Sequence, residues 1–515
     1  MFRLIRKIPL LIFITGLLVA VGLGGCRKSF EAQASHGDFR VSADTVFLDS
    51  VFTGISSPTY HFKIYNEAGH SIYLDEIALD NGDASFYRLN VDGVAGKNFR
   101  NVLIPPDDSI YVFVELTADI NALSDPVYEE RLHIRDAAGQ KDVLLTSFVK
   151  DAYFLYPRRF SAHRVDSIRI GEDASGNPVR VAGFLIGRDT TLTADKPVVI
   201  YGHIGVPQGK TLTVEQGAHL YFHFNSGIVV YEGGSLHIDG TLSEPVILED
   251  DRMQPDFDNA PGMWNFIWLQ GGSVDNRIRH AIIKNAVAGV IAHPVNDNGD
   301  KVLDITDTQI YNCSAYGLFA AASYVTGSNL VVNNCGSSAL HIVLGGQYDF
   351  RHCTVVNYGN GIRNLRDAAV YVSNAYTTYD QNGNPVTYTY DLSRCDILNS
   401  IIYGNASVEF FAEADNSAQM HFRVRNSLIR FEDPQHRIDS PWMDFSDTTY
   451  YDYNVLNGTP DFEAPDENNL HIGPSSAAVL LADPAVSATV PLDLDGNDRT
   501  GSPDSGAYQH RTPSN

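Results

Sequence analysis

Cysteine, methionine and tryptophan are scarce, with 5, 5 and 3 in 515 residues. No Cys-x-x-Cys occurs and no histidine stands at zinc-site spacing from a cysteine, so no structural thiolate metal site is expected. Charged residues make up only 19%, and few methionines beside 42 Gly, 26 Tyr and 26 Phe argue against a helical or coiled-coil protein. Basic residues are outnumbered, 37 against 62, leaving −25. Such a surface repels phosphate backbones, so nucleic acid is not an expected partner, and strongly anionic glycans are disfavoured. No Gly-rich phosphate loop follows a strand and no haem motif appears, so no cofactor is expected. What remains is 44% hydrophobic residues, enough for a large core, spread through short runs.

The one longer apolar run, Leu10 to Val21, follows Arg3, Arg6 and Lys7 and precedes Leu23-Gly24-Gly25-Cys26. A basic start, a short apolar stretch and a small-residue cleavage site make an export signal over 1–25 rather than a membrane span. The cleavage site resembles a bacterial lipobox. That resemblance implies a diacylglycerol thioether and an acylated amino group on Cys26, hence a membrane partner held through lipid. An ordinary secretory signal with a chance cysteine is the alternative. Residues 26–37 read as a polar tether.

From 38 to 154 short alternating runs are separated by turn signals. Thr59 to Asn66 and Ser109 to Leu116 are examples, with Asn66-Glu67-Ala68-Gly69 and Asn81-Gly82-Asp83 as turns. This pattern predicts a β-sandwich and resembles the Ig-like modules of exported bacterial proteins. Residues 155–194 read as a transition and N-terminal cap.

After that, asparagines recur. Asn285, Asn312, Asn334 and Asn357 are spaced 27, 22 and 23 residues apart, and Asn399 and Asn426 continue the series with longer insertions. A β-branched strand precedes each of the first four. A small–apolar pair follows: Gly289-Val290, Gly317-Leu318, Ala339-Leu340, Gly361-Ile362. A period near 22 with one internal asparagine suits a parallel β-helix over 195–470, in which stacked asparagines satisfy backbone groups at a bend. The segment 471–515 would then cap the last coil, since an open end is an aggregation edge.

Val206 to Thr241, Ile397 to Asn405 and Leu492 to His510 resemble the opening coils, later coils and terminal segment of exported right-handed parallel β-helix proteins, in particular Bacteroidota-type outer-membrane lipoproteins. The resemblance implies an all-β fold, with an Ig-like β-sandwich followed by a right-handed parallel β-helix, and an outer-membrane address. In such lipoproteins surface exposure goes with an acidic cluster after the cysteine. Here Glu31 stands alone after Arg27 and Lys28, so the membrane face stays open. The fold carries lyases, hydrolases, adhesins and scaffolds alike.

Candidate chemistry is sparse. Cys313 and Cys335 occupy equivalent places after Asn312 and Asn334, so a stacked free pair is expected over a disulfide; Cys353 and Cys395 complete the set. Asp493 to Asp498 begins like a calcium loop, but position 12 is Asp504 and no helix flanks it, so a terminal turn involving Arg499 is the better reading. Asn296 to Asp300 carries the same ambiguity. His352, Arg363, Arg366 and Asp367 are weak catalytic candidates, with His341 and Asp349 close in sequence. Placed on one exposed face, Arg366 could bind a uronate; an Arg366–Asp367 surface ion pair is the plainer reading. Tyr371, Tyr376, Tyr379, Tyr388 and Tyr390 crowd one insertion, as a sugar or protein platform or as a hairpin covering the coil. The expectation is a non-catalytic, membrane-anchored lipoprotein binding glycan or an outer-membrane protein. The alternative is a polysaccharide lyase or glycoside hydrolase.

Overall fold

The computed structural model describes residues 32–511, apart from 162, 174, 294–299, 360 and 381. The expected export signal, Cys26 and Asn296 to Gly299 lie outside them. Two units follow from the contacts, Met1–Lys150 and Asp151–Asn515. Both are all-β: the only α-helix among the described residues is the single turn Pro484–Ser487.

In the first unit, alternation sends every second side chain inward. Tyr60–Asn66 pairs antiparallel with Ser109–Leu116, burying Phe62, Ile64, Ile110 and Val112 while Lys63 and Tyr111 face out. A second sheet contributes Leu74, Ile77, Leu132 and Ile134 to the same core. The boundaries differ from expectation. Gln33–Ala34 pairs with Ile72–Leu79, and the Ser35 hydroxyl donates to Asp136 at 2.7 Å, so the expected tether already belongs to the sandwich from Gln33 onward. At the other end Tyr153–Leu155 pairs with Val198–Ile200, in the second unit.

The second unit stacks three-strand coils. Val198–Ile200, His203–Val206 and Thr211–Glu215 make one turn of chain. Each pairs in parallel with its counterpart one turn later: His219–Phe222, Gly227–Val230 and Ser235–Asp239. The scheme continues to Tyr451–Asp452 and Val455–Leu456, giving large parallel sheets around a core of stacked Ile, Leu, Val and Phe. The first parallel rungs, Tyr153–Leu155, Gly183 to Leu185 and Thr190 to Leu192, precede residue 195, and the last ends at Leu456 rather than 470. Successive coils sit close because the column of small residues permits it. A Cβ on Gly317 would lie 2.2 Å from Val332 Cγ1 and 2.7 Å from the Ala339 carbonyl.

The asparagines form two ladders at different corners, not one. Asn285, Asn312 and Asn334 each turn the chain with φ of 66°, 56° and 55°, a left-handed conformation that asparagine tolerates. Their side chains connect: Asn312 Nδ2 donates to Asn285 Oδ1 at 3.2 Å and Asn334 Nδ2 to Asn312 Oδ1 at 3.3 Å. Asn357 leaves this series. It keeps a negative φ and brackets the neighbouring rung, accepting from the Cys335 amide and donating to the Cys335 carbonyl, both at 3.0 Å. Asn399 and Asn426 stand at the next corner, in a column of positive-φ residues with His280, Asp307, Asn329, His352 and Tyr453. There the backbone N–H groups from His280 to Asn426 continue the ladder, as from Asn329 to the Arg351 carbonyl and from His352 to the Leu398 carbonyl. A single series could not separate the two corners because insertions had broken the period.

The C-terminal segment is not an end cap. Residues 459–511 run along the flank of one sheet, where Leu470, Ile472, Leu494 and Tyr508 bury against Tyr311, Val331, Ile401 and Tyr403. The second corner ladder is their attachment rail. Arg499 donates to Asn329 Oδ1 at 3.0 Å, His352 Nε2 meets Ser487 Oγ at 2.9 Å, Asn399 exchanges bonds with Asp483, and Asn426 donates to the Leu481 carbonyl. The end of the coil is covered instead by residues 433–451. There Met443 is buried and Ile438, Trp442, Phe445 and Tyr450 pack on the core. Within the flank segment, Asp493 accepts from the amides of Asp495, Asn497 and Gln509, and Asn497 Nδ2 also donates to it. That is a turn whose carboxylate is already occupied by N–H donors.

Candidate functional site

An aromatic column builds the site. In three successive parallel strands Leu340, Val370 and Phe410 point into the core, so the following residues point out. Those are His341, Tyr371 and Phe411, and Phe319 precedes them one rung back. Register places the four rings over one another. Centroids are 5.4 Å apart for Phe319–His341, 4.7 Å for His341–Tyr371 and 6.2 Å for Tyr371–Phe411, with planes inclined by only 18°, 12° and 14°. Tyr316 flanks His341 at 4.7 Å, and Trp268 and His293 carry ring contacts further back along the coil. Each such pair contributes about 0.5–1.5 kcal/mol beyond area burial. All four column rings are half-buried, each presenting part of its surface outward.

Over the last three rings lies a groove of about 500 Å³. His341, Tyr371 and Phe411 form its floor. Leu365, Arg366, Asp367 and Ala368 make one wall, and Asn405 to Val408 with Ile438 make the other. Burial holds the His341 imidazole down at about 4, so it is neutral near pH 7, and its Nδ1 is buried without a hydrogen-bond partner. Burial and the Glu413 carboxylate, to which its hydroxyl donates, raise the Tyr371 phenol above its ordinary value. Asp367 accepts from Ser337 Oγ at 2.8 Å and from Asn364 Nδ2 at 3.3 Å. Arg366 is exposed and has no ion-pair partner among the described residues; the surface pair expected with Asp367 does not form. The chemistry offered is therefore flat apolar faces, neutral hydrogen-bonding groups, one carboxylate and one free guanidinium.

The sequence candidates scatter. Arg366 and Asp367 do meet His341 and Tyr371 in the groove. His352 does not: it is fully buried at the second corner beneath the flank segment, and desolvation, with the Arg499 charge second, lowers its pKa to about 2. It is a structural imidazole and not a displayed catalytic group. Arg363 also fails as a displayed group, since its side chain is 2% exposed in an ion pair with Glu409, itself 0% exposed. Asp349 lies in another column, paired with Arg351 at 2.7 Å and Arg394 at 2.6 Å. The tyrosines divide. Tyr371 belongs to the stacked column, whereas Ala375–Tyr379 and Pro385–Thr389 form an antiparallel hairpin with Tyr376 opposite Tyr388. On it Tyr376, Tyr379, Tyr388 and neighbouring Tyr390 are 45–68% exposed. Cys313 and Cys335 are register partners, and all four described cysteines are free and buried.

Phe319, Phe411, Asn405 and Glu409 were missed by sequence reasoning. The signal for the rings was available: each follows the inward apolar residue of its coil, as in Leu318-Phe319 and Phe410-Phe411. The fourth small–apolar pair was misplaced, because Gly361-Ile362 lies in an exposed loop and Ala369-Val370 holds that rung.

No family model matches the sequence, and no curated protein matches it. Among solved structures the chain is similar to the catalytic domain of a GH87 alpha-1,3-glucanase in complex with tetrasaccharides. The identity is 10% and the TM-score 0.17, over 77% of this chain and 89% of that one. A superposition that loose carries no argument about this chain's chemistry.

Proposed function

We propose that the chain is a lipoprotein anchored to the outer membrane through Cys26, with an Ig-like sandwich preceding a right-handed parallel β-helix, and that it binds glycan without cleaving it. The observation that carries the binding reading is the stack of His341, Tyr371 and Phe411 beneath an open groove. Flat rings match the apolar faces of pyranose sugars, and Asn405, Ser407 and Asp367 line the groove with groups that suit hydroxyls. The non-catalytic reading rests on the sorting of candidates. Hydrolysis by a carboxylate pair needs two carboxyl groups flanking one bond. In the groove Asp367 is the one carboxylate among the lining residues, while Glu409 is consumed by Arg363.

The test is affinity electrophoresis of the chain from Gln33 onward through gels containing soluble β-glucan, mannan, xylan or polygalacturonate. Retardation by one of them is expected, reduced at least tenfold in apparent affinity by Tyr371→Ala or Phe411→Ala. New reducing ends or unsaturated products in the same incubations would establish the lyase or hydrolase alternative. No retardation by any polymer would move the weight to a protein partner in the outer membrane.

A further inference from the structure

We infer that the buried Arg363–Glu409 pair is the positioning device that sets the two walls of the groove; this rests on the groove being the binding site. The two residues come from segments on opposite sides of it. Arg363 precedes Arg366 and Asp367, and Glu409 follows Asn405 to Val408. The guanidinium meets both carboxylate oxygens, one of them at 2.8 Å through Nη1. It also donates through Nη2 to the Asp367 carbonyl at 2.8 Å and through Nη1 to Asn405 Oδ1 at 2.8 Å and to the Asn357 carbonyl. Glu409 in turn accepts from the amides of Ala406 at 2.8 Å and Ala369 at 3.1 Å. One ion pair therefore ties wall to wall and both to the corner at Asn357.

The backbone around the pair is shaped to admit it. A Cβ on Gly404 would lie 2.3 Å from Glu409 Oε1, and one on Gly359 would lie 2.1 Å from Arg363 Cβ. An ion pair withdrawn this far from water is a poor way to add stability, since desolvation of both charges offsets their attraction and apolar replacements are often tolerated. What it supplies here is geometry. A planar guanidinium with fixed donor directions holds several acceptors in one arrangement, which neither an apolar pair nor a lysine can reproduce.

The experiment compares wild type, the double variant Arg363→Met with Glu409→Leu, and Arg363→Lys. Amide hydrogen exchange is read by mass spectrometry over residues 361–369 and 405–409, together with thermal midpoint and retardation in the β-glucan, mannan, xylan and polygalacturonate gels. The double variant is expected to keep its thermal midpoint within a few degrees. Its exchange in both walls should rise at least tenfold, and its apparent affinity should fall at least tenfold for whichever polymer retards wild type. Arg363→Lys should fall between. Wild-type exchange in both walls with a folded double variant would overturn the inference, whether or not any polymer binds. If the double variant does not fold, Glu409→Gln, which keeps the shape and removes the charge, takes its place with the same expectation for exchange. A wild-type chain that binds no polymer would defeat the glycan reading alone, leaving exchange to decide the role of the pair.

Discussion

His352→Asn should invert the acid stability of the coil unit relative to wild type. His352 is fully buried, its Nε2 engaged by Ser487 and Asn399. Desolvation places its folded pKa at about 2 against an ordinary 6.5. The folded value is depressed, so the folded state requires the neutral ring. The contribution is complete above pH 6.5 and declines as pH falls below 6.5 toward 2. Each unit of pH in that window costs about 1.4 kcal/mol, so passing from pH 7 to pH 4.5 removes about 3 kcal/mol from this residue. Asparagine fits the site, because the backbone there has φ of 52° and the same column already carries Asn329, Asn399 and Asn426. At pH 7 the variant should be weaker by about 1 kcal/mol for lost packing. At pH 4.5 it should be the more stable by about 2 kcal/mol, having no ring to protonate. Trp264, Trp268 and Trp442, the protein's three tryptophans, all lie in the second unit, so urea unfolding followed by tryptophan fluorescence reports on that unit. A wild-type–variant gap that stays constant between pH 7 and pH 4.5 would refute the reasoning, since other acid-sensitive groups are common to both.

Gly317→Ala should lower the thermal midpoint of the second unit, at a cost of about 1–3 kcal/mol, because the added methyl meets Val332 and the Ala339 carbonyl. Circular dichroism melts check it, with unchanged stability as the contrary result. In the chain from Gln33 onward, Ellman's reagent should find none of Cys313, Cys335, Cys353 and Cys395 in the native state and all four in guanidinium. Burial shields all four and raises the thiols of Cys335, Cys353 and Cys395, that of Cys353 to about 12. Finding two on unfolding without reductant would reveal a disulfide, for which the register partners Cys313 and Cys335 are the candidate pair. The Tyr371→Ala and Phe411→Ala losses of polysaccharide retention complete the set.

How much of this was legible varies by feature, and the reasons are physical. Period-two alternation and hairpin chemistry predicted the sandwich strands because both are local. The sandwich edges were less legible, since the pairing of Gln33–Ala34 with Ile72–Leu79 is long-range and leaves no pattern in two residues. The coil was visible wherever insertions were short, as from Asn312 to Asn334. It became ambiguous where the 361–369 loop and the 375–389 hairpin interrupt it. There Asn357 was grouped with a ladder it does not continue, and Asn399 and Asn426 with a corner they do not occupy.

By itself the sequence determined the all-β character, the repeated parallel coil and the acidic surface, because composition and short-range periodicity dictate those. Tertiary structure alone decided which side chains share a site. His352 and Arg366 are 14 residues apart, yet one lies sealed under residues contributed by 483–487 and the other stands free at the groove. Conversely Arg363 and Glu409, 46 residues apart, close on each other. In a stacked coil, neighbours are set by register between turns, and register depends on insertion lengths that no local pattern records.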